Sequence, residues 1–304
     1  MRNLNTSRLS ACAGQRSRPM CGVAIAMLAL AAATVAFADR PALAGEAVSP
    51  WVDGHNVRTR LVAGLVEGSD RRILGGVEVE MADGWKTYWK NPGDAGGVPP
   101  SFDFSGSSNV KNASVLYPAP QRMTDKAGTT IGYKTRVVFP VEIEAATAGQ
   151  PVTLKLDFAF GTCREICVPG EATHEVTLEP GDGAPGAPAS VTEALARIPA
   201  AAGKTSGPVL TRSVVSLDGT PPKIVLHADF PAGREGADAF VMGPEGEYVP
   251  IPVAKAEEGK RGVVFEIDLS LGADVKALTG KPIEVTLVSK HGASTHQVVV
   301  TPSP

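Results

Sequence analysis

The sequence predicts two successive all-β units: an antiparallel β-sandwich followed by a second, smaller β-sandwich. Three observations carry this expectation. Strand-length apolar runs recur along the chain, punctuated by Gly, Pro, Asn and Asp. Within them the apolar residues alternate, and no stretch of useful length follows a helical period. A Gly/Ala/Pro-rich interval then divides the chain. A length of 304 residues agrees with about two domains, each able to bury its own core.

In order, the first unit offers strands at 56–67, 73–82, 85–89, 110–116, 137–144, 152–160 and 173–178. Frequent turn signals between short strands are the mark of a sandwich. The interval 181–207 reads as a Pro/Ala/Gly linker with a short helical possibility at 191–197. Beyond it, 209–217, 223–230, 239–242, 249–253, 263–269, 283–289 and 295–301 have strand composition. The expected organisation is a leader at 1–44, a first domain at 45–180, the linker, and a second domain at 208–304.

The leader is read from its chemistry. Arg2, Arg8, Arg16 and Arg18 precede a run from Val23 to Phe37 that is apolar but for Thr34, and small residues follow. Basic start, short apolar centre and Ala-x-Ala sites at 36–38 or 42–44 describe a cleavable export signal. The run is short for a membrane span, so the mature chain is expected to be exported and not membrane-spanning. The whole chain holds 29 basic and 32 acidic residues. Removing the leader's five Arg and one Asp leaves 24 and 31, a net charge of −7. An acidic balance without a basic stripe argues against nucleic-acid partners.

Once Cys12 and Cys21 leave with the leader, Cys163 and Cys167 are the two remaining cysteines. In an oxidising compartment such a pair forms a disulfide unless something reduces it. The ring would be small: closing about five residues stabilises by only ~2 kcal/mol, against ~4.7 for about a hundred. That favours a bond made and broken over a staple. Gly161 and Pro169 bracket the pair and the flanks are strand-like, so the cysteines are expected at the mouth of a β-hairpin with Arg164, Glu165 and Ile166 as its loop. Arg164 would favour a thiolate and Glu165 would oppose it. Two alternatives stay open: a structural staple, and a copper(I) site of both thiolates with His174, since soft Cu(I) favours sulfur. Sco-type copper chaperones use a similar Cys-x3-Cys-Pro arrangement, but here Val168 intervenes. No other metal-ligand spacing and no cofactor motif is present, and His55, His227, His291 and His296 read as surface or satisfied residues.

The run Gly84-Trp85-Lys86-Thr87-Tyr88-Trp89-Lys90 is aromatic-rich. Strand alternation sends Trp85 and Trp89 to one face and Tyr88 to the other, so an aromatic should line an outer or cleft surface.

Three segments together resemble a known family: Asp83-Gly-Trp-Lys-Thr-Tyr-Trp89, Gly132-Tyr-Lys-Thr-Arg-Val-Val-Phe-Pro-Val141 and Gly161-Thr-Cys-Arg-Glu-Ile-Cys-Val-Pro-Gly-Glu171. They are similar to the N-terminal periplasmic domain of the thiol:disulfide interchange protein DsbD, and more closely to the N-terminal region of ScsB-like proteins. The resemblance covers about 50–180, with a looser likeness over 209–302. It implies an immunoglobulin-like sandwich whose Cys163–Cys167 pair is redox-active, a protein-disulfide reductase type of activity. It also implies a periplasmic location and partners: a membrane-embedded thiol reductase as donor, and periplasmic thioredoxin-like or isomerase proteins as acceptors. No thioredoxin-type Cys-x-x-Cys occurs in these residues, so the donor is expected to be a separate protein. The family shields its pair with a cap loop, which by position falls within 122–132. Met123 or Ile131 would then cover the disulfide, and Tyr88, on the strand after Asp-Gly, would lie beside it. In the family the second cysteine carries the mixed disulfide, which implies Cys167 as the partner-linked sulfur and Cys163 as the resolving one.

Overall fold

The computed structural model describes residues 47–302 except 127, 180, 182, 183 and 204–206. The expected leader, with Cys12 and Cys21, lies outside them. The first unit runs β1 (Ala47–Val48), β2 (Val52–Gly54), β3 (Val57–Leu65), β4 (Arg72–Met81), β5 (Lys86–Tyr88), β6 (Ser101–Asp103), β7 (Val110–Val115), β8 (Gln121–Asp125), β9 (Gly128–Lys134), β10 (Arg136–Ala145), β11 (Val152–Cys163) and β12 (Cys167–Leu178). One sheet has the order β1-β3-β4-β10-β7, with β2 also on β3. The other has the order β12-β11-β5-β9-β8, with β6 also on β11. All these pairings are antiparallel.

Alternation explains why the sheets stack. In β11, Val152, Leu154, Leu156, Phe158 and Phe160 point inward and are buried, meeting Leu61, Val77, Phe139 and Ile143 from the facing sheet. Each such side chain contributes about 1.5–3 kcal/mol on leaving water. Phe158 stacks on both Phe102 and Phe160 with centroids 5.0 and 4.7 Å apart. Because β12 is an edge strand, Pro169 is tolerated in it. Its register partner is Gly161, two steps from the Cys163–Cys167 pair. The 4.1 Å Cα separation of that pair is that of a non-hydrogen-bonded position, so Pro169 also faces outward, where no ladder donor is needed.

The connecting stretch holds α1 (Ala189–Leu195), which lays Val191 and Ala194 against Val62 and Val138 on the outer face of the first sheet. Gly76 makes room for it, since a Cβ there would stand 2.6 Å from Val191 Cγ2. The second unit runs β13 (Ala200–Ala201), β14 (Val209–Ser216), β15 (Lys223–Asp229), β16 (Asp238–Met242), β17 (Val253–Glu258), β18 (Gly262–Asp268), α2 (Val275–Leu278), β19 (Pro282–Ser289) and β20 (Gly292–Val299). Two four-stranded sheets, β13-β20-β19-β16 and β14-β15-β18-β17, close over a core that includes Ile224, Leu226, Phe265, Val285 and Leu287.

The strand expected at 249–253 is corrected. Pro250 and Pro252 each lack an N–H, so the ladder with β18 begins only at Val253. The fold is otherwise the predicted all-β class, an immunoglobulin-like sandwich followed by a smaller one. The two sandwiches meet through residues near the aromatic strand. Asn91 Nδ2 donates to Val241 O at 2.8 Å, Arg122 grips Asp238 with two bonds at 2.7 and 2.9 Å, and Lys90 pairs with Glu284. Trp89 meets Phe240 edge-on at 6.1 Å.

Candidate functional site

Cys163 ends β11 and Cys167 begins β12, with Arg164–Ile166 as the intervening loop, and a disulfide joins them. Since even-numbered residues of β11 face the core, the bond lies on the outer face of its sheet. The two sulfurs are unequally placed: Cys163 is 7% exposed and Cys167 is exposed. At the tip Ile166 is 75% exposed, Glu165 points to solvent, and Arg164 lies over Gly84.

Register carries the same face across the sheet. Cys163 pairs with Lys86 on β5, Tyr88 pairs with Gly132 on β9, and Gly132 pairs with Gln121 on β8. Lys86, Tyr88, Gly161, Cys163, Cys167, Met123 and Asp125 therefore share the outer surface. Tyr88 is buried there, and its hydroxyl donates to Cys167 Sγ at 2.9 Å. Burial, and secondarily the negative charge of Asp125, raises its pKa above the usual phenol value of 10.0. The phenol thus stays protonated and remains a donor to sulfur. Lys86, only 8% exposed, donates to Asp125 Oδ2 at 2.8 Å.

What lies over Tyr88 is the segment Gly96-Gly97-Val98. A Cβ on Gly97 would fall 2.3 Å from the tyrosine ring, and its φ of +144° is open to glycine almost alone. Val98 packs on Gly161 from the same side, as a Cβ there would be 3.0 Å from both Val98 Cβ and Tyr88 Cε2.

This arrangement changes the expected cap. Among the described residues, 122–125 and 128–132 are strand, not a loop laid across the disulfide; β8 and β9 continue the same sheet beyond β5 and reach the site through Asp125. Ile131 faces inward and belongs to the core with Trp89, so it does not cover the bond. Met123 is buried on the outer face, as a shield would require. Arg122 is spent on Asp238 in the other sandwich. Trp85 packs against the core and meets His55 edge-on at 5.2 Å, while Tyr88 takes the opposite face as alternation demands.

The three-ligand copper(I) site is excluded by face. His174 points inward, buried, with Nε2 2.9 Å from Thr59 Oγ1 and Nδ1 3.3 Å from Ser49 Oγ, whereas both sulfurs lie on the other side of the sheet. Among the described residues, no group of three or more His, Cys, Asp or Glu is placed to hold a metal ion.

Sequence reasoning passed over Lys86, Asp125 and the 96–98 segment. Lys86 was available from alternation, two positions from Tyr88 on the same face. Asp125 required the β8–β9 register, which no local pattern reports. The run Gly93, Gly96, Gly97 signalled a close approach without saying to what.

The site is thus a disulfide across the tip of an edge hairpin in an immunoglobulin-like sandwich, with one sulfur exposed and hydrogen-bonded to a tyrosine. The family model described as thiol:disulfide interchange protein DsbD, N-terminal, matches residues 65–179, which form a DsbD N-terminal-like domain. The crystal structure of the N-terminal periplasmic domain of ScsB from Proteus mirabilis shares this fold. The identity is 20% and the TM-score 0.65, over 85% of this chain and 100% of that one. The yeast GGA1 GAE domain aligns at 11% identity and a TM-score of 0.23, over 42% of this chain and 96% of that one, too low to bear on the argument. A comparison with curated proteins finds no match. No described helix is long and apolar enough to cross a membrane.

Proposed function

We propose that the chain is a periplasmic thiol–disulfide interchange protein that relays reducing equivalents through Cys163 and Cys167. It takes them from a membrane-embedded thiol reductase and passes them to exported thioredoxin-like or isomerase proteins. Residues 1–44 are the export leader, 45–180 the redox domain, 181–207 the connection and 208–304 the second domain. The observation that carries the reading is the asymmetry of the disulfide: an exposed Cys167 bonded to a buried Cys163 at a hairpin tip. A bond kept only for stability gains little from so small a ring.

Exchange starts from the oxidised chain. A partner thiolate attacks Cys167 Sγ in line with the S–S bond, and the electron pair of that bond leaves on Cys163 Sγ. The partner's second thiolate then attacks its own sulfur in the mixed disulfide. Cys167 leaves as a thiolate beside the Tyr88 hydroxyl, and the partner departs oxidised. Onward transfer is the same sequence in reverse, with Cys163 resolving the mixed disulfide at Cys167.

The test is trapping. Cys163→Ala leaves Cys167 able to link to a partner whose resolving cysteine is also removed, and long-lived, reductant-sensitive heterodimers are expected. Cys167→Ala should give few. Equal trapping by both variants, or trapping by Cys167→Ala alone, would overturn the assignment.

A further inference from the structure

We propose that Lys86 is the positioning residue of this exchange, the cation that receives the Cys163 thiolate when the disulfide opens. The inference rests on the interchange reading above and adds to it a group that sets how readily the buried sulfur leaves. Lys86 is the cross-strand partner of Cys163 and shares its face. Side chains so paired have Cβ atoms about 4.5–5.5 Å apart, within easy reach of a lysine.

Lys86 is nearly buried, and Asp125 holds its ammonium at 2.8 Å while the disulfide is formed. The other charged groups nearby are less well placed to serve Cys163. Lys134, opposite Lys86 on β9, is exposed and one strand further away. Arg164 lies over Gly84, and Glu165 is exposed and of the wrong sign. Tyr88 thus already bonds exposed Cys167, while register sets the Lys86 side chain beside buried Cys163 with its ammonium held by Asp125.

The chemistry follows from leaving-group behaviour. When a thiolate attacks Cys167 Sγ, the new S–S bond forms as the old one breaks, and the electron pair goes to Cys163 Sγ without a proton. A thiolate generated in a nearly buried position is costly unless a cation meets it, and a better-stabilised leaving thiolate departs faster. Lys86 can turn from Asp125 to the sulfur, so the aspartate competes with the thiolate for the same ammonium.

The competition predicts that only loss of the lysine slows the reaction, whereas losing either half of a purely structural ion pair would act alike. In the full oxidised chain, reduction by dithiothreitol at neutral pH is followed by acid quenching and maleimide mass shift. Lys86→Met is expected to slow reduction about three- to tenfold, and Lys86→Arg to restore most of the rate. Asp125→Asn, which releases the ammonium, should run at the wild-type rate or faster, and the double variant should behave like Lys86→Met. In a Cys167→Ala background, Lys86→Met should move the thiolate absorbance titration of Cys163 to higher pH.

The proposal is overturned if Lys86→Met reduces as fast as wild type or faster, if Lys86→Arg is as slow as Lys86→Met, or if Asp125→Asn slows reduction too. Using a small dithiol keeps the two claims apart. Wild-type protein that exchanges with no protein dithiol, yet still slows on Lys86→Met, would sink the relay reading and leave the lysine assignment standing.

Discussion

At the scale of single residues, the site depends on what is missing from Gly97 as much as on what Tyr88 supplies. The tyrosine ring lies under a backbone segment that no side chain could replace without moving one or the other. Gly97→Ala combines a 2.3 Å clash with a left-handed φ of +144°. It is expected to cost about 1–3 kcal/mol of stability and to lift the 96–98 segment. The reduced pair should then react faster with a thiol reagent than in wild type. Unchanged reactivity in a folded Gly97→Ala protein would show that this segment does not cover the site. Alternation alone separated Tyr88 from Trp85 and Trp89 and put an aromatic on an outer or cleft surface; the fold shows that Tyr88 is the outer one and Trp89 the core one. It could not identify the cover, because a Gly-rich run announces close approach but not its target.

At the scale of elements, the hairpin carrying the cysteines was readable because Gly161, Pro169 and the flanking strand patterns bound it tightly. The β8–β9 hairpin was not. Gln121–Asp125 is polar except for Met123, so its membership of the sheet is fixed by register with β9 and β5 and not by any apolar alternation of its own. His174 on β12 shows a related limit: its place seven residues after Cys167 suggested a ligand, but even spacing from the inward-facing positions sends it to the core. Burial lowers its pKa from 6.5, and the same cause lowers that of His296 in β20. A histidine depressed in the folded state binds its proton more readily when unfolded. Each group's contribution is therefore fully present above pH 6.5 and is lost as pH falls below it. Thermal melts between pH 7.5 and 5.5 should show a falling Tm, with a flatter pH dependence in His174→Asn than in wild type. Parallel slopes would contradict this origin.

At the scale of the whole molecule, the aromatic strand that opens the site also leads into the contact with the second sandwich, through Lys90, Asn91 and Arg122. A Pro/Ala/Gly stretch reads from sequence as a linker, and its composition gives no hint that α1 packs on the first sheet or that side chains far from it join the sandwiches. Arg122→Ala removes two charge-assisted bonds to Asp238 and one each to Ala239 O and Pro252 O, and should cost about 2 kcal/mol. Small-angle scattering should show a larger radius of gyration if that contact holds the sandwiches together, and no change if it does not.

The account as a whole stands on Cys163–Cys167 being a bond that is made and broken in use. Its reduction potential tests that most directly, measured by equilibrating the full chain in dithiothreitol buffers and counting free thiols. A shuttle should be half-reduced at a potential above about −300 mV; a pair that stays oxidised well below that value would be a structural staple and would contradict the account.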